Sequence, residues 1–200
     1  MSSTRSGILL LVSGPSGSGK TTLCRRLADE NEAHYSISCT TRLPRPGEVD
    51  GTHYHFLSKE AFRRKVEKEE FLEQAEVHGN FYGTLRSEVL EYLAAGTDVV
   101  MDIDVQGAEL VRSCANPGIQ LALIDLFVMP PSEQELEARL TGRGTDTPDV
   151  ISLRMKNALE EMQHWPEYSY RLVSSTREED YLRFKSLLLA ERLRVSRLTP

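Results

Sequence analysis

Gly14-Pro15-Ser16-Gly17-Ser18-Gly19-Lys20-Thr21 reads G-x-x-x-x-G-K-T, the spacing of a phosphate-binding loop. Its surroundings decide the fold. In front runs Ile8-Leu9-Leu10-Leu11-Val12, a short apolar run suited to a strand buried on both faces. Behind it comes Thr22-Leu23-Cys24-Arg25-Arg26-Leu27-Ala28, with Leu23 and Leu27 four apart on one helical face. Strand, glycine loop and helix is the context this motif requires. The loop glycines let backbone N–H groups approach an anion, and the helix start adds its positive dipole end. Lys20 supplies a point charge for β/γ-phosphates and Thr21 a hydroxyl for Mg²⁺. The reading is a nucleoside triphosphate site built from Gly14 through Thr21 and the adjoining Thr22.

The 200 residues suit an α/β domain of ordinary size with room for inserted subdomains. Twenty-four basic against 30 acidic residues leave a net charge of −6, which argues against a general nucleic-acid or anionic-membrane surface. Cys24, Cys39 and Cys114 form no C-x-x-C pair, so a reducing compartment is expected. The apolar run before the loop is too short for a signal peptide or a membrane span. The expected location is the cytosol. No internal repeat is visible.

Outward from the loop, Tyr35 to Ser38 reads as a short alternating strand. In Thr41-Arg42-Leu43-Pro44-Arg45-Pro46-Gly47-Glu48, each proline pushes the residue before it toward extended backbone. Arg42 and Arg45 therefore project from a stiff loop, which on its own reads equally as a solvated basic turn or a docking peptide. Tyr54 to Leu57 looks like a strand, Lys59 to Glu69 a helix capped by Ser58, and Ser87 to Ala95 another helix. Between them Phe71 to Val77 alternates weakly. Short strands from Ser36 onward break the β-α alternation, so this region is expected to be an inserted subdomain.

Asp98-Val99-Val100-Met101-Asp102-Ile103-Asp104 is an apolar strand ending in acids. A carboxylate there commonly faces Mg²⁺ in phosphate-loop proteins; the plain alternative is a polar strand terminus. Gly107 to Cys114 is an expected helix, Asn116-Pro117-Gly118 a loop, and Leu121 to Met129 a buried strand with Asp125 awkward inside it. Ser132 and Glu135 form a capping-box signature. A helix ending at Gly142 carries Arg139, a second starting at Thr147-Pro148 carries Arg154, and Arg143 lies in the connector between them. They could close over phosphates as a lid, or be ordinary surface arginines. Arg171 to Ser174 is the expected last strand. A helix follows from Glu178 to Val195, with Leu182, Leu189 and Leu193 among its apolar positions and Arg192, Arg194 and Arg197 near its end. Trp165 and Tyr168 are expected to pack. His53 and His55 complete no zinc pattern.

The phosphate loop, Ser38-x-Thr40-Thr41-Arg42-x-Pro44-Arg45-x-Gly47-Glu48, Gly51-x-x-Tyr54-x-Phe56, Phe71-Leu72-Glu73, Gly79 to Thr84, Asp102-Ile103-Asp104-x-Gln106-Gly107 and Arg139-Leu140-x-Gly142-Arg143-Gly144 closely resemble guanylate kinases. The match runs from about Ile8 to Arg194. The resemblance implies an α/β fold: a parallel-sheet core at about 7–34, 96–138 and 165–197, a GMP-binding subdomain at about 35–95, and a small helical lid at about 139–155. It implies transfer of a phosphoryl group from ATP to GMP with Mg²⁺. Arg42, Arg45, Tyr54 and Tyr82 would hold the GMP phosphate. Ser38, Glu73 and Thr84 would read guanine, with Asp102 nearby. Lys20, Arg42, Arg139, Arg143 and Arg154 would neutralise the transferring group, and Thr21, Asp102 and Asp104 would face the metal. No residue stands out as a covalent phosphoryl carrier, so direct in-line transfer is expected.

Two departures accompany the resemblance. Ser174-Ser175 stands where the family often has Asn-Asp, which changes the expected adenine contacts, and the segment from Arg112 to Gln120 is longer than usual. Three other readings compete with this one. A non-catalytic interaction domain would be expected to carry a degraded loop. A kinase for another phosphorylated acceptor would not need the Glu73, Ser38 and Thr84 set. A regulatory GTPase would need an Asn-Lys-x-Asp motif, which the chain lacks.

Overall fold

The structure, a computed structural model, describes residues 5–77, 79–142 and 148–198. Arg143 and Thr147, to which the sequence assigned a lid role and a helix cap, lie outside these residues. The apolar run in front of the loop forms β1 (Leu9–Ser13), buried along its whole length. It lies between two parallel neighbours, β7 (Val99–Asp102) and β8 (Leu123–Met129), with β2 (His34–Tyr35) and β9 (Tyr170–Val173) at the edges. Successive side chains of a strand point to opposite faces, so one run feeds two cores. Leu10 and Val12 pack with Leu23, Cys24 and Leu27 of α1 (Lys20–Asp29) and with Tyr181, Phe184 and Leu188 of α8 (Arg177–Arg192). Leu9 and Leu11 pack against α3 (Arg86–Ala94), α4 (Val105–Arg112) and α5 (Pro117–Ala122). A parallel sheet covered on both faces needs this two-sided apolarity, and it opens its ligand crevice at the carboxyl ends of the strands.

A second sheet runs in the order β4 (His55–Phe56), β3 (Cys39–Thr40), β6 (Asn80–Leu85), β5 (Phe71–Val77). Its small core stacks Phe62 of α2 (Lys59–Glu67) between Phe71 and Phe81, with ring centroids 4.4 and 5.5 Å away. Ser58 caps α2 by accepting from the Ala61 N–H at 3.1 Å. A third unit pairs α6 (Glu133–Thr141) with α7 (Pro148–Met162) through Leu136, Leu140, Met155 and Ala158. Ser132 accepts from the Glu135 N–H, but the Glu135 carboxylate pairs with Arg139 at 3.0 Å and does not turn back to complete a capping box.

Several expectations differ from the structure. The Tyr35–Ser38 strand is shorter and lies elsewhere: His34 and Tyr35 pair with β7 in the parallel sheet. α3, which the sequence grouped with the inserted subdomain, packs on the parallel sheet through Val89 and Leu93. Asn116-Pro117-Gly118 is the start of α5; Asn116 Oδ1 accepts from Gly118 and Ile119, and the following proline suits a first helical position. On α8 the buried face is Tyr181, Phe184 and Leu188, while Leu182 and Leu193 are 57% and 79% exposed. Arg192, given no function, binds Asp98 at 2.7 Å and Glu32 at 2.9 Å, joining α8 to the sheet. Asp125 is satisfied by Arg112 at 3.2 Å and the Ser169 N–H at 2.8 Å. Tyr168 packs edge-on against Phe127, whereas Trp165 is exposed beneath the Arg171 guanidinium. Among the described residues no helix is long and apolar enough to cross a membrane.

Candidate active site

The loop after β1 turns on glycines whose geometry no other residue would accept. Gly14 has φ 141, and a Cβ there would stand 2.2 Å from the Val128 carbonyl oxygen. Gly19, at φ 100, is left-handed at the N-cap of α1. No side chain caps this helix and no acid occupies its first turn, so its leading N–H groups are left for an anion. Lys20 Nζ folds over the loop, donating to the carbonyl oxygens of Gly14 at 2.6 Å and Pro15 at 3.2 Å. Leu136 and Leu140 of α6 lie against Gly17, so α6 rests on the loop itself. A cleft of about 700 Å³ runs from Ser16–Leu23 past Arg45, Tyr54 and Arg139 to Ser175, Arg177 and Asp180.

Asp102 closes β7 beside the loop, where the Thr21 hydroxyl donates to its Oδ2. A hydroxyl and a carboxylate in contact next to a phosphate cradle fit Mg²⁺, which takes few protein oxygens and completes its shell with water and phosphate. Among the described residues no group of three or more His, Cys, Asp or Glu could form a metal cage, as that mode of binding requires none. Asp104 stands differently: its Oδ1 caps α4 by accepting from the Gly107 N–H at 2.7 Å. His53 Nδ1 likewise accepts from the Val49 N–H.

On the other side of Asp102 lies a cavity of about 220 Å³ lined by Ser38, Tyr54, Glu73, Tyr82, Asp102 and Asp104. A register shift between Phe71 and Glu73 builds it. Phe71 enters the small core, Leu72 the main one, and Glu73 faces the cavity opposite Thr84. Glu73 is only 8% exposed. Burial pushes its carboxyl above the usual range; a hydrogen bond from Thr84 counters this, and the charge of Asp104 adds to it. Ser38 Oγ lies 3.1 Å from Thr84 Oγ1, so a chain of hydroxyls leads to the carboxylate.

The loop that carries Arg42 and Arg45 is more constrained than the sequence alone implied. Glu48 grips the Arg42 guanidinium with both oxygens, at 3.0 and 2.9 Å, and also accepts from the Arg45 N–H at 2.7 Å. Hydrogen bonding to Arg42 holds the Glu48 carboxyl at about 2. Arg42 also meets the Tyr82 hydroxyl and lies 5.4 Å over the Tyr54 ring. The structure thus gathers Ser38, Glu73, Tyr54 and Tyr82 around one cavity, with Thr84 and Arg42 in contact with residues of its wall, and Lys20, Thr21, Arg45 and Arg139 around the adjoining cleft. Arg154 is half-buried on α7 and lines neither. Sequence reasoning gave no role to Glu48, Arg177 or Asp180. For Glu48 the signal was present: an acid six residues after Arg42, across a Pro-Gly turn.

A family model described as Guanylate kinase matches residues 6–191. Guanylate kinases of Paramagnetospirillum magneticum and Bartonella henselae are 47% and 46% identical over 195 and 193 residues. Those alignments cover 97% and 96% of this chain and 89% and 85% of the relatives. The crystal structure of guanylate kinase from Anaplasma phagocytophilum superimposes with a TM-score of 0.81 at 31% identity, covering 98% of this chain and 92% of that one. A loop built for phosphates, a second cavity beside it and these likenesses lead to one conclusion: the chain belongs to the guanylate kinase family.

Proposed function

We propose that the chain transfers the γ-phosphoryl group of ATP to GMP, giving ADP and GDP. The observation that carries this reading is the shared wall. Tyr54 borders both the loop cleft and the smaller cavity, and Asp102 lies between Thr21 of the loop and Glu73 of the cavity. A donor in the cleft and an acceptor in the cavity would meet at that wall.

Guanine would enter beside Glu73, whose acceptor-only carboxylate suits the adjacent N1–H and N2 amino donors, with Ser38 and Thr84 supplying hydroxyls. Arg42, Arg45, Tyr54 and Tyr82 would hold the acceptor phosphate. Lys20 and the loop N–H groups of Gly14 through Thr22 would hold the donor phosphates. Thr21 and Asp102 would hold Mg²⁺, with Asp104 contributing through its remaining oxygen; the ion, when bound, neutralises phosphate charge. An oxygen of the GMP phosphate forms a bond to the γ-phosphorus as the bond to the β,γ-bridging oxygen breaks. The electron pair leaves on ADP. This chemistry needs positioning and electrostatic stabilisation, which Lys20, Arg42, Arg139, Arg143 and Arg154 would provide. Closure of α6 and α7 would exclude water, the competing acceptor. The core, the GMP-binding subdomain and the lid would move as separate parts. The free thiols Cys24, Cys39 and Cys114 accord with a reducing, cytosolic setting.

Phosphorus NMR of the purified chain with MgATP and GMP tests the reading. GDP and ADP should appear in equal amounts. ADP without GDP, or no turnover, would overturn it and favour a hydrolase or a binding module.

A further inference from the structure

We propose that Ser174 is a positioning residue for the donor phosphate site, acting through the loop peptide between Ser18 and Gly19. The proposal rests on the reading that this loop holds the donor triphosphate.

Ser174 follows β9, 4% exposed, and its N–H is committed to the Met129 carbonyl oxygen at 2.8 Å, which fixes where its side chain can reach. Its Oγ donates to the carbonyl oxygen of Ser18 at 3.1 Å, across 156 residues of chain. Ser18 is 1% exposed, yet among the described residues its own hydroxyl has no hydrogen-bond partner. Ser18 is therefore held through its own main-chain groups: its N–H donates to the Pro15 carbonyl oxygen at 3.1 Å, and its carbonyl oxygen accepts from the Ser174 hydroxyl.

The second tie has a directional consequence. In a planar trans peptide the carbonyl and the N–H point to opposite sides. Anchoring the Ser18 carbonyl on Ser174 turns the Gly19 N–H away from Ser174, toward the cleft that Gly19 lines. Among the described residues that N–H has no acceptor. Gly19 is also left-handed, at φ 100 and ψ 4, and has no side chain to hold its orientation. A glycine peptide is the kind most free to rotate. One buried hydroxyl therefore sets the aim of a donor that would face phosphate oxygen. Ser174 lines neither the cleft nor the smaller cavity, so it acts through the loop it binds, and the effect falls on the donor side.

The test compares wild type with Ser174→Ala, which removes one oxygen and adds no bulk. Titration calorimetry would measure binding of ADP and of GMP separately. Loss of one neutral hydrogen bond corresponds to about threefold to tenfold weaker ADP binding. The KM for ATP should rise to match, with the affinity and KM for GMP unchanged. The Gly19 amide cross-peak should move in the variant's ¹H–¹⁵N spectrum. Unchanged ADP affinity, an equal loss for ADP and GMP, or weaker ADP binding with the Gly19 peak unmoved would each overturn the proposal. Failure of wild type to bind ADP at all would instead overturn the donor-site reading beneath it.

Discussion

Glu73→Gln separates what the acceptor cavity does for recognition from what it does to stability. Glu73 is a buried carboxylate that accepts a hydrogen bond from the Thr84 hydroxyl. Guanine would give it two donors; glutamine keeps one acceptor oxygen and turns an NH₂ group toward the other donor. A hydrogen bond to a charged group contributes about 1.5–3 kcal/mol, which at about 1.4 kcal/mol per decade is about 10- to 150-fold. With the mismatched NH₂ added, GMP efficiency should fall by about 10²-fold or more, with ATP affinity little changed. The preference for GMP over AMP should narrow. Stability should move the other way. Burial raises the folded-state pKa of Glu73, so the stabilisation belongs to the protonated form and is lost as pH rises through that value. The unliganded Glu73→Gln variant should therefore melt above wild type at pH 7 and lack that fall. The assays are kcat/KM across GMP and AMP, and melting temperature from pH 4 to pH 8. A variant with full GMP efficiency would refute the base-reading role; one melting below wild type at pH 7 would refute the desolvation argument.

Other outcomes follow from the same geometry. Lys20→Met should fold, since among the described residues the hydrogen bonds of Nζ go to loop carbonyls, and should lose about 10²–10³-fold in turnover; wild-type turnover in a folded variant would contradict the loop assignment. Asp102→Asn should raise the Mg²⁺ concentration needed for half-maximal activity more than Asp104→Asn does, because Asn at 104 can still cap α4. Equal magnesium titrations would reverse that ranking. Arg42 depresses the Glu48 pKa, so this pair stabilises above the unfolded carboxylate value of about 4.3 and fades as pH falls through about 2. The stability gap between wild type and Glu48→Gln, followed by circular dichroism, should close over that window. A gap that persists at pH 2 would assign the effect to packing.

The parts legible in the sequence are those whose cause is local. β1, the loop and α1 are contiguous, and each announces itself by apolar run, glycine spacing or helical period. The Asn116-Pro117 pair is equally local evidence for α5, although Pro117-Gly118 by itself carries a loop signal. β2, β3 and β4 are only two residues long, too short for a period, and exist because distant strands supply their hydrogen bonds. The acceptor cavity was legible as a motif but not as geometry. Three consecutive buried residues, Phe71, Leu72 and Glu73, defy simple alternation, and only the register shift against β6 explains them. The apolar positions Leu182, Leu189 and Leu193 do not mark the buried face of α8, because single leucines are also ordinary on exposed surface.

Release of ADP from MgATP, followed by a coupled assay with GMP, AMP, CMP and UMP as acceptors in turn, tests the central claim most directly. GMP should be the preferred acceptor by a factor of about 10³ or more in kcat/KM, since a buried carboxylate facing the wrong base is left unpaired. Comparable rates with AMP, preference for a pyrimidine nucleotide, or ADP release indifferent to any acceptor would contradict it.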